Sequence, residues 1–243
     1  MKKITRFGFL LFLMFALVSM NSVSSLLQNN DALKGSWRLK MGEEEIVVCF
    51  VDDYFVLSGF SKSKKEFGFT WGGPYSINNK NIVVQVQFNT SARESVGTNA
   101  MFAFRMDPKG LVLSIDNKEQ RFERVDDGKN SLAGVWRISG RKQGDQITEM
   151  PLGARRTLKI LSGKRFQWAA INIETKEFFG TGGGWYSFEN GKYTEHIEFF
   201  SRDSSRVGAS LGFDGRLENG LWHHSGLSSK GEPIYEVWKR IKE

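Results

Sequence analysis

Residues 46–109 lie over residues 157–220 at one constant offset of 111, without a gap, and 15 of the 64 paired positions are identical. A chain that repeats itself over this length folds as two similar units, each of which must bury a core of its own. GGPYSINNKNIVVQVQF (72–88) returns as GGWYSFENGKYTEHIEF (183–199). Outside the gapless stretch, LKGSWRL (33–39) returns as LAGVWRI (132–138), and RFERV, closing at Val125, matches VWKRI, closing at Ile241. Between the copies stands DDGKNS, rich in turn formers. The expected division is therefore a first domain over 26–125, a linker over 126–131 and a second domain over 132–243.

Each copy reads as strands. IVVQVQF places Ile82, Val84, Val86 and Phe88 on one face and Val83, Gln85 and Gln87 on the other. That period of two marks a half-buried strand. The first copy contains eight such segments, at about 36–40, 44–51, 54–61, 66–77, 81–90, 96–107, 111–116 and 119–125. Their connectors are short and turn-like, such as Asp52-Asp53 and Asn78-Asn79-Lys80. Short links between consecutive strands mean hairpins, hence an antiparallel up-and-down order. Eight strands in that order remove their open edges by closing into a barrel. The expected fold is all-β: two tandem eight-stranded antiparallel barrels after a signal peptide, with no helix beyond a turn at 26–33.

The run FGTGGGWYSFENGKY (179–193) has the glycine density of a phosphate-binding loop. Such a loop needs a helix N-terminus after its glycines. Here WYSF follows, a strand segment, and then the hairpin turn Glu189-Asn190-Gly191-Lys192. These glycines are read as points where a strand bends or another backbone comes close.

The N-terminus carries Lys2, Lys3 and Arg6 and then an apolar run from Phe7 to Val18. A run of about 12 residues suits the core of an export signal, whereas a membrane span needs about 20. Val23 and Ser25 suit a cleavage site, so residues 1–25 are expected to be a cleaved signal peptide and the protein periplasmic or secreted. No later segment is apolar enough to span a bilayer. Without Lys2, Lys3 and Arg6 the chain has 31 basic against 27 acidic residues, a net +4 in place of +7. The charges are interspersed, so no phosphate-binding stripe forms and no nucleic-acid partner is expected. Cys49, the one cysteine, lies in the apolar EIVVCFV and is expected to be a buried thiol without a disulfide.

Gly35-Ser36-Trp37 and Gly134-Val135-Trp136 open the first strands of the two copies, and Arg124 and Arg240 lie on the last ones. In these features the chain resembles the lipocalin-like (calycin) barrels, and more narrowly exported bacterial proteins with lipocalin-like domains. The resemblance covers nearly all of the chain beyond the leader. It implies that Trp37 and Trp136 plug the closed ends of their barrels. Arg124 and Arg240 would pack across them, a guanidinium over an indole face.

Strand parity then selects an interior. In the second copy Phe166, Trp168, Phe178, Tyr186, Tyr193, Ile197, Phe199 and Phe213 are expected to face inward. Glu195 takes the place of Val84, and His223 is read in the place of Leu113, with Glu236 opposite Gln120. A buried carboxylate needs a partner. Glu195 with His223, joined by Tyr186 or Tyr193, would make a polar spot in an apolar cup, as small-molecule sites are built. The loop Gly140–Arg156 is about 12 residues longer than in the first copy, and its Ile147, Met150 and Leu152 would overhang the mouth. The expected ligand-binding set is Met150, Phe166, Trp168, Phe178, Tyr186, Tyr193, Glu195, Phe213 and His223. Adjacent His223 and His224 point to opposite faces of a strand, so no metal or other cofactor is expected. No nucleophile motif is present and no enzymatic activity is expected. The expected function is binding of a small hydrophobic or amphipathic molecule in the second barrel. The alternative is a protein-interaction module, like a protease inhibitor or a cell-surface component, with filled barrels and contacts through 26–33 or 140–156.

Overall fold

The first sheet runs through β1 (Gly35–Met41), β2 (Glu44–Val51), β3 (Tyr54–Ser61), β4 (Glu66–Asn78), β5 (Asn81–Gln85), β6 (Phe88–Asn89), β7 (Asn99–Asp107), β8 (Gly110–Ile115) and β9 (Lys118–Asp126). The second runs through β10 (Gly134–Gln143), β11 (Gln146–Glu149), β12 (Arg155–Leu161), β13 (Arg165–Asn172), β14 (Glu177–Glu189), β15 (Lys192–Phe200), β16 (Ser210–Glu218), β17 (Leu221–Leu227) and β18 (Pro233–Arg240). The structure, a computed structural model, describes residues 31–115, 118–144, 146–228 and 231–241. The signal peptide expected over 1–25 lies outside them, as does most of the turn expected over 26–33. Apart from β6 and β11, the strands of each sheet pair antiparallel in chain order, and β1 with β9 and β10 with β18 close each sheet on itself. The chain thus forms two closed eight-stranded antiparallel barrels in tandem. β5 and β6 are one interrupted strand along β4, and β11 is a hairpin extension of β10.

One glycine of the run 179–193 and its counterpart in the first copy show why the barrels can close. A Cβ on Gly73 would lie 1.8 Å from the carbonyl oxygen of Gln85, and one on Gly184 would lie 1.9 Å from that of His196. Gly73 and Gly184 are repeat counterparts. At both, the neighbouring strand crosses too close for any side chain, which is the role of a glycine at a sharp sheet bend. In the second barrel the register shifts here, between Gly183 and Gly184, leaving Glu198 as the extra residue of β15.

Trp37 pairs with Arg124 and Trp136 with Arg240 across the closing seams. The Arg124 guanidinium lies 3.9 Å from the Trp37 ring centroid and that of Arg240 lies 4.8 Å from Trp136. Trp136 also donates its indole N–H to the Leu132 carbonyl at 2.8 Å. Both indoles are buried.

Both barrels lie within the unit Lys34–Glu243. They pack through outward-facing residues of β2, β3, β4 and β6 against β12, β13, β14 and β15, including Val47, Cys49, Val56, Phe60 and Phe88 with Leu158, Ile160, Ile171 and Phe199. Phe67 stacks on Phe199 at 6.0 Å, and Phe178 stacks on Phe88 at 6.2 Å. The second pair is the first with its members exchanged between copies, so the contact is two-fold in kind, as between the halves of a symmetric dimer. Gln167 sits at its centre. Its amide nitrogen donates to Thr70 Oγ1 at 2.9 Å and to Thr181 Oγ1, the counterpart of Thr70, at 3.0 Å. Its carbonyl oxygen accepts from Ser58 Oγ at 2.7 Å. Both N–H donors and the carbonyl oxygen of this buried amide are thus engaged, as burial demands.

Two aspartates clamp the ends of this interface. Asp52, in the β2–β3 turn, accepts from Arg240 at 3.0 Å and from the Val135 N–H at 3.1 Å. Buried Asp126 accepts from Ser36 Oγ (2.5 Å), Ser162 Oγ (2.7 Å), and the N–H groups of Gly163 (2.8 Å), Gly128 (2.9 Å) and Lys164 (3.1 Å). Burial, with Asp126 adding to it, pushes the Cys49 thiol up to about 12.

Candidate functional site

The two interiors differ at a few positions. Offset by 111, Val48, Val84 and Leu113 of the first barrel correspond to Lys159, Glu195 and His224 of the second. Val48, Val84 and Leu113 are fully buried. Lys159 on β12, Glu195 on β15 and His224 on β17 are also buried, at 5%, 4% and 2% exposure, and bring three ionisable groups into one interior. Glu236 on β18 pairs with His224 and adds a fourth. The barrels differ in filling too. Trp71 of the first lies 4.7 Å from the Phe55 ring and 5.9 Å from that of Phe102. The second barrel has Gly182 at the equivalent position, and a Cβ there would meet the Trp168 indole at 2.7 Å.

A cavity of about 300 Å³ occupies this space. Ile138, Trp168, Ile197, Phe200, Leu211, Phe213, Ile234 and Trp238 form its apolar wall, Lys159, Glu195, His224, Glu236 and Arg141 its ionisable part, and Thr157 and Ser228 add hydroxyls. Lys159 Nζ lies 2.7 Å from Glu195 Oε1, which also accepts from Tyr193 Oη at 3.0 Å. The ammonium sits 5.0–5.9 Å from the ring centroids of Tyr193, Trp238, Trp222 and Phe213, within cation–π range. Glu236 Oε1 accepts from Arg141 at 3.0 Å, and its Oε2 accepts from the Trp238 indole at 3.2 Å. The Arg141 side chain is half exposed and stands at the mouth.

His224 is different. Neither ring nitrogen has a hydrogen-bond partner among the described residues, although both are buried. Glu236 Oε2 is 3.8 Å from Nδ1, too far for a bond. Burial, and then the nearby Lys159 charge, hold the imidazole well below its ordinary pKa, so it is neutral at pH 7. Burial also raises the Tyr193 phenol, with Glu195 adding to the effect.

The structure gathers part of the expected set. Trp168, Glu195 and Phe213 line the cavity. Phe166, Tyr186 and Tyr193 face the same interior but belong to the packed core around Trp136 and Trp222, where Tyr186 donates to the Ser162 carbonyl at 2.7 Å. His223 faces out of the barrel: its Nδ1 lies 2.9 Å from Tyr235 Oη, and His224 takes the inward place. The repeat offset holds unbroken through β17, so reading His223 against Leu113 slips the strand by one residue and reverses the face. Phe178 and Phe199 also face outward, into the contact between the barrels. A register shift between Ala170 and Ile171 makes Phe179 an extra residue, as Glu198 is on β15, and each bulge reverses the parity beyond it. Hence Phe200 lines the cavity in place of Phe199. Met150 is 38% exposed on the loop and does not line the cavity. Lys159 joins the cup from outside the expected set. A lysine in a strand ordinarily points to solvent, but its place opposite Val48 was a readable signal. Among the described residues no group of three or more His, Cys, Asp or Glu comes together to hold a metal.

Fold and cup together define an all-β protein of two closed barrels, of which the second holds an ionisable cavity. Residues 131–243 match a family model described as a domain of unknown function, DUF4488. Among solved structures, the chain is similar to a lipocalin-like protein from Bacteroides uniformis ATCC 8492, at 11% identity over 46% of this chain and 100% of that one, with a TM-score of 0.32. No curated protein matches the chain.

Proposed function

We propose that the protein is an exported binding protein whose second barrel holds a small hydrophobic or amphipathic molecule, while the first barrel serves as its filled structural partner. The observation that carries this reading is the unpartnered His224 in an open cavity of about 300 Å³. Small-molecule sites combine an apolar wall with a few converging polar groups, and this cup has that composition. The leader sequence supports export. Native mass spectrometry of the full chain expressed with its leader tests the reading. A co-purifying small molecule that is lost from Trp168→Ala supports it. A clean apo mass, with no thermal shift across lipids and small aromatics, counts against it. A second reading is supported by Ile147 and Leu152, 48% and 50% exposed on the long loop: a protein partner docks there. Capture of such a partner, abolished by Ile147→Ser with Leu152→Ser and untouched by Trp168→Ala, would favour that reading.

A further inference from the structure

We infer that the cup selects an uncharged ligand: a small ring-bodied molecule carrying a hydroxyl or amide that meets His224. The inference rests on the binding reading above and narrows its ligand class. Inside the cup each charge already has its opposite. Lys159 meets Glu195 at 2.7 Å, and Glu236 meets Arg141 at 3.0 Å. An anionic ligand would face Glu195 and Glu236 as well as the two cations, and a cationic ligand would face Lys159 and Arg141. Neither gains an uncompensated partner in exchange for the water it gives up. Of the buried polar groups that line the cavity, the one left to recognise a ligand is the His224 imidazole, both of whose nitrogens are unpartnered among the described residues. A neutral imidazole offers one N–H donor and one acceptor nitrogen. A hydroxyl or an amide can answer either without bringing in charge. A site built to hydrogen-bond such a group discriminates against analogues that lack it, because the buried site group is then left unpaired. The body of the ligand is set by the rings of Trp168, Phe200, Phe213 and Trp238, which favour a flat ring held by stacking and edge contacts.

The test uses the full chain and four probes of one shape: naphthalene, 2-naphthol, 2-naphthoate and 2-naphthylmethylammonium, titrated at pH 7.5 against intrinsic tryptophan fluorescence and by calorimetry. The expected result is binding of 2-naphthol at least about tenfold tighter than of either ion. His224→Leu, which restores the first barrel's residue, should bring 2-naphthol down to the affinity of naphthalene. Circular dichroism would check that this variant folds, and the wild-type ranking decides without it. Tighter binding of 2-naphthoate or of the ammonium would overturn the inference and leave the binding reading standing. No binding of any probe would overturn the inference and, with an apo native mass, the binding reading too.

Discussion

At the scale of single residues the second barrel carries an ion pair that its sister does without. Lys159 and Glu195 are each 6% exposed at the side chain and rely on one another and on Tyr193. Removing one partner of a buried pair typically costs about 3–5 kcal/mol, whereas replacing both with apolar residues is often neutral. Glu195→Val should therefore lower stability in urea by about that amount, and Lys159→Val with Glu195→Val should recover most of it. Equal losses in the single and double variants would show that the pair does not act as a unit. His224 makes a pH-dependent contribution whose sign follows from its depressed folded-state pKa. Above the ordinary value of 6.5 the imidazole is neutral in both states and stability does not depend on its titration. Below 6.5 the unfolded chain takes up the proton while the buried ring resists it, so the folded state loses ground as pH falls. Unfolding free energies measured from pH 7.5 downward should fall more steeply for wild type than for His224→Leu, by at most about 1.4 kcal/mol per pH unit. Parallel curves would mean that His224 is free to protonate in place.

At the scale of elements, nearly all strand positions were legible in the sequence, because alternation and turn chemistry repeat in both copies. What the sequence hid was the face of a strand beyond a bulge. The extra residues Phe179 and Glu198 leave the hydrophobic pattern intact, since FF precedes one bulge's glycines and FF follows the other. Nothing in Phe199-Phe200 says which ring turns inward; the three-dimensional crossing of β14 over β15 at Gly184 decides it. The polar cup was half legible. Glu195 stands out against Val84 at the constant offset of 111. His224 is legible only where that offset is carried through β17, since a slip of one residue puts His223 in its place, and a lysine between Leu158 and Ile160 looks like a solvated face. The contact between the barrels was not legible at all, because outward apolar residues such as Val56 and Ile171 read equally well as ordinary core.

At the scale of the whole molecule the two barrels share one buried contact, clamped by Asp126 of the first barrel around the β12–β13 turn of the second. Asp126→Ala would take away the acceptor that Ser36, Ser162, Gly163 and Lys164 share, and should lower stability by about 3 kcal/mol. Cys49 lies in the same contact and reports on its opening. Its thiol should react slowly with a maleimide in the wild type and several-fold faster in the variant under native conditions. Unchanged stability and labelling would mean that the apolar contact holds the barrels together without the clamp.

Gln167 adds a consequence of a different order. Two identical barrels meeting about an axis would bring two copies of any axial side chain together, and a pair of glutamines would compete for the same threonines. One polypeptide escapes that constraint: where the second barrel has Gln167, the first has Val56. Covalent linkage thus lets each half mutate alone, so one barrel can keep a greasy, filled interior while the other is hollowed and charged. The asymmetry that makes the cup is available to a fused chain and closed to a pair of identical subunits.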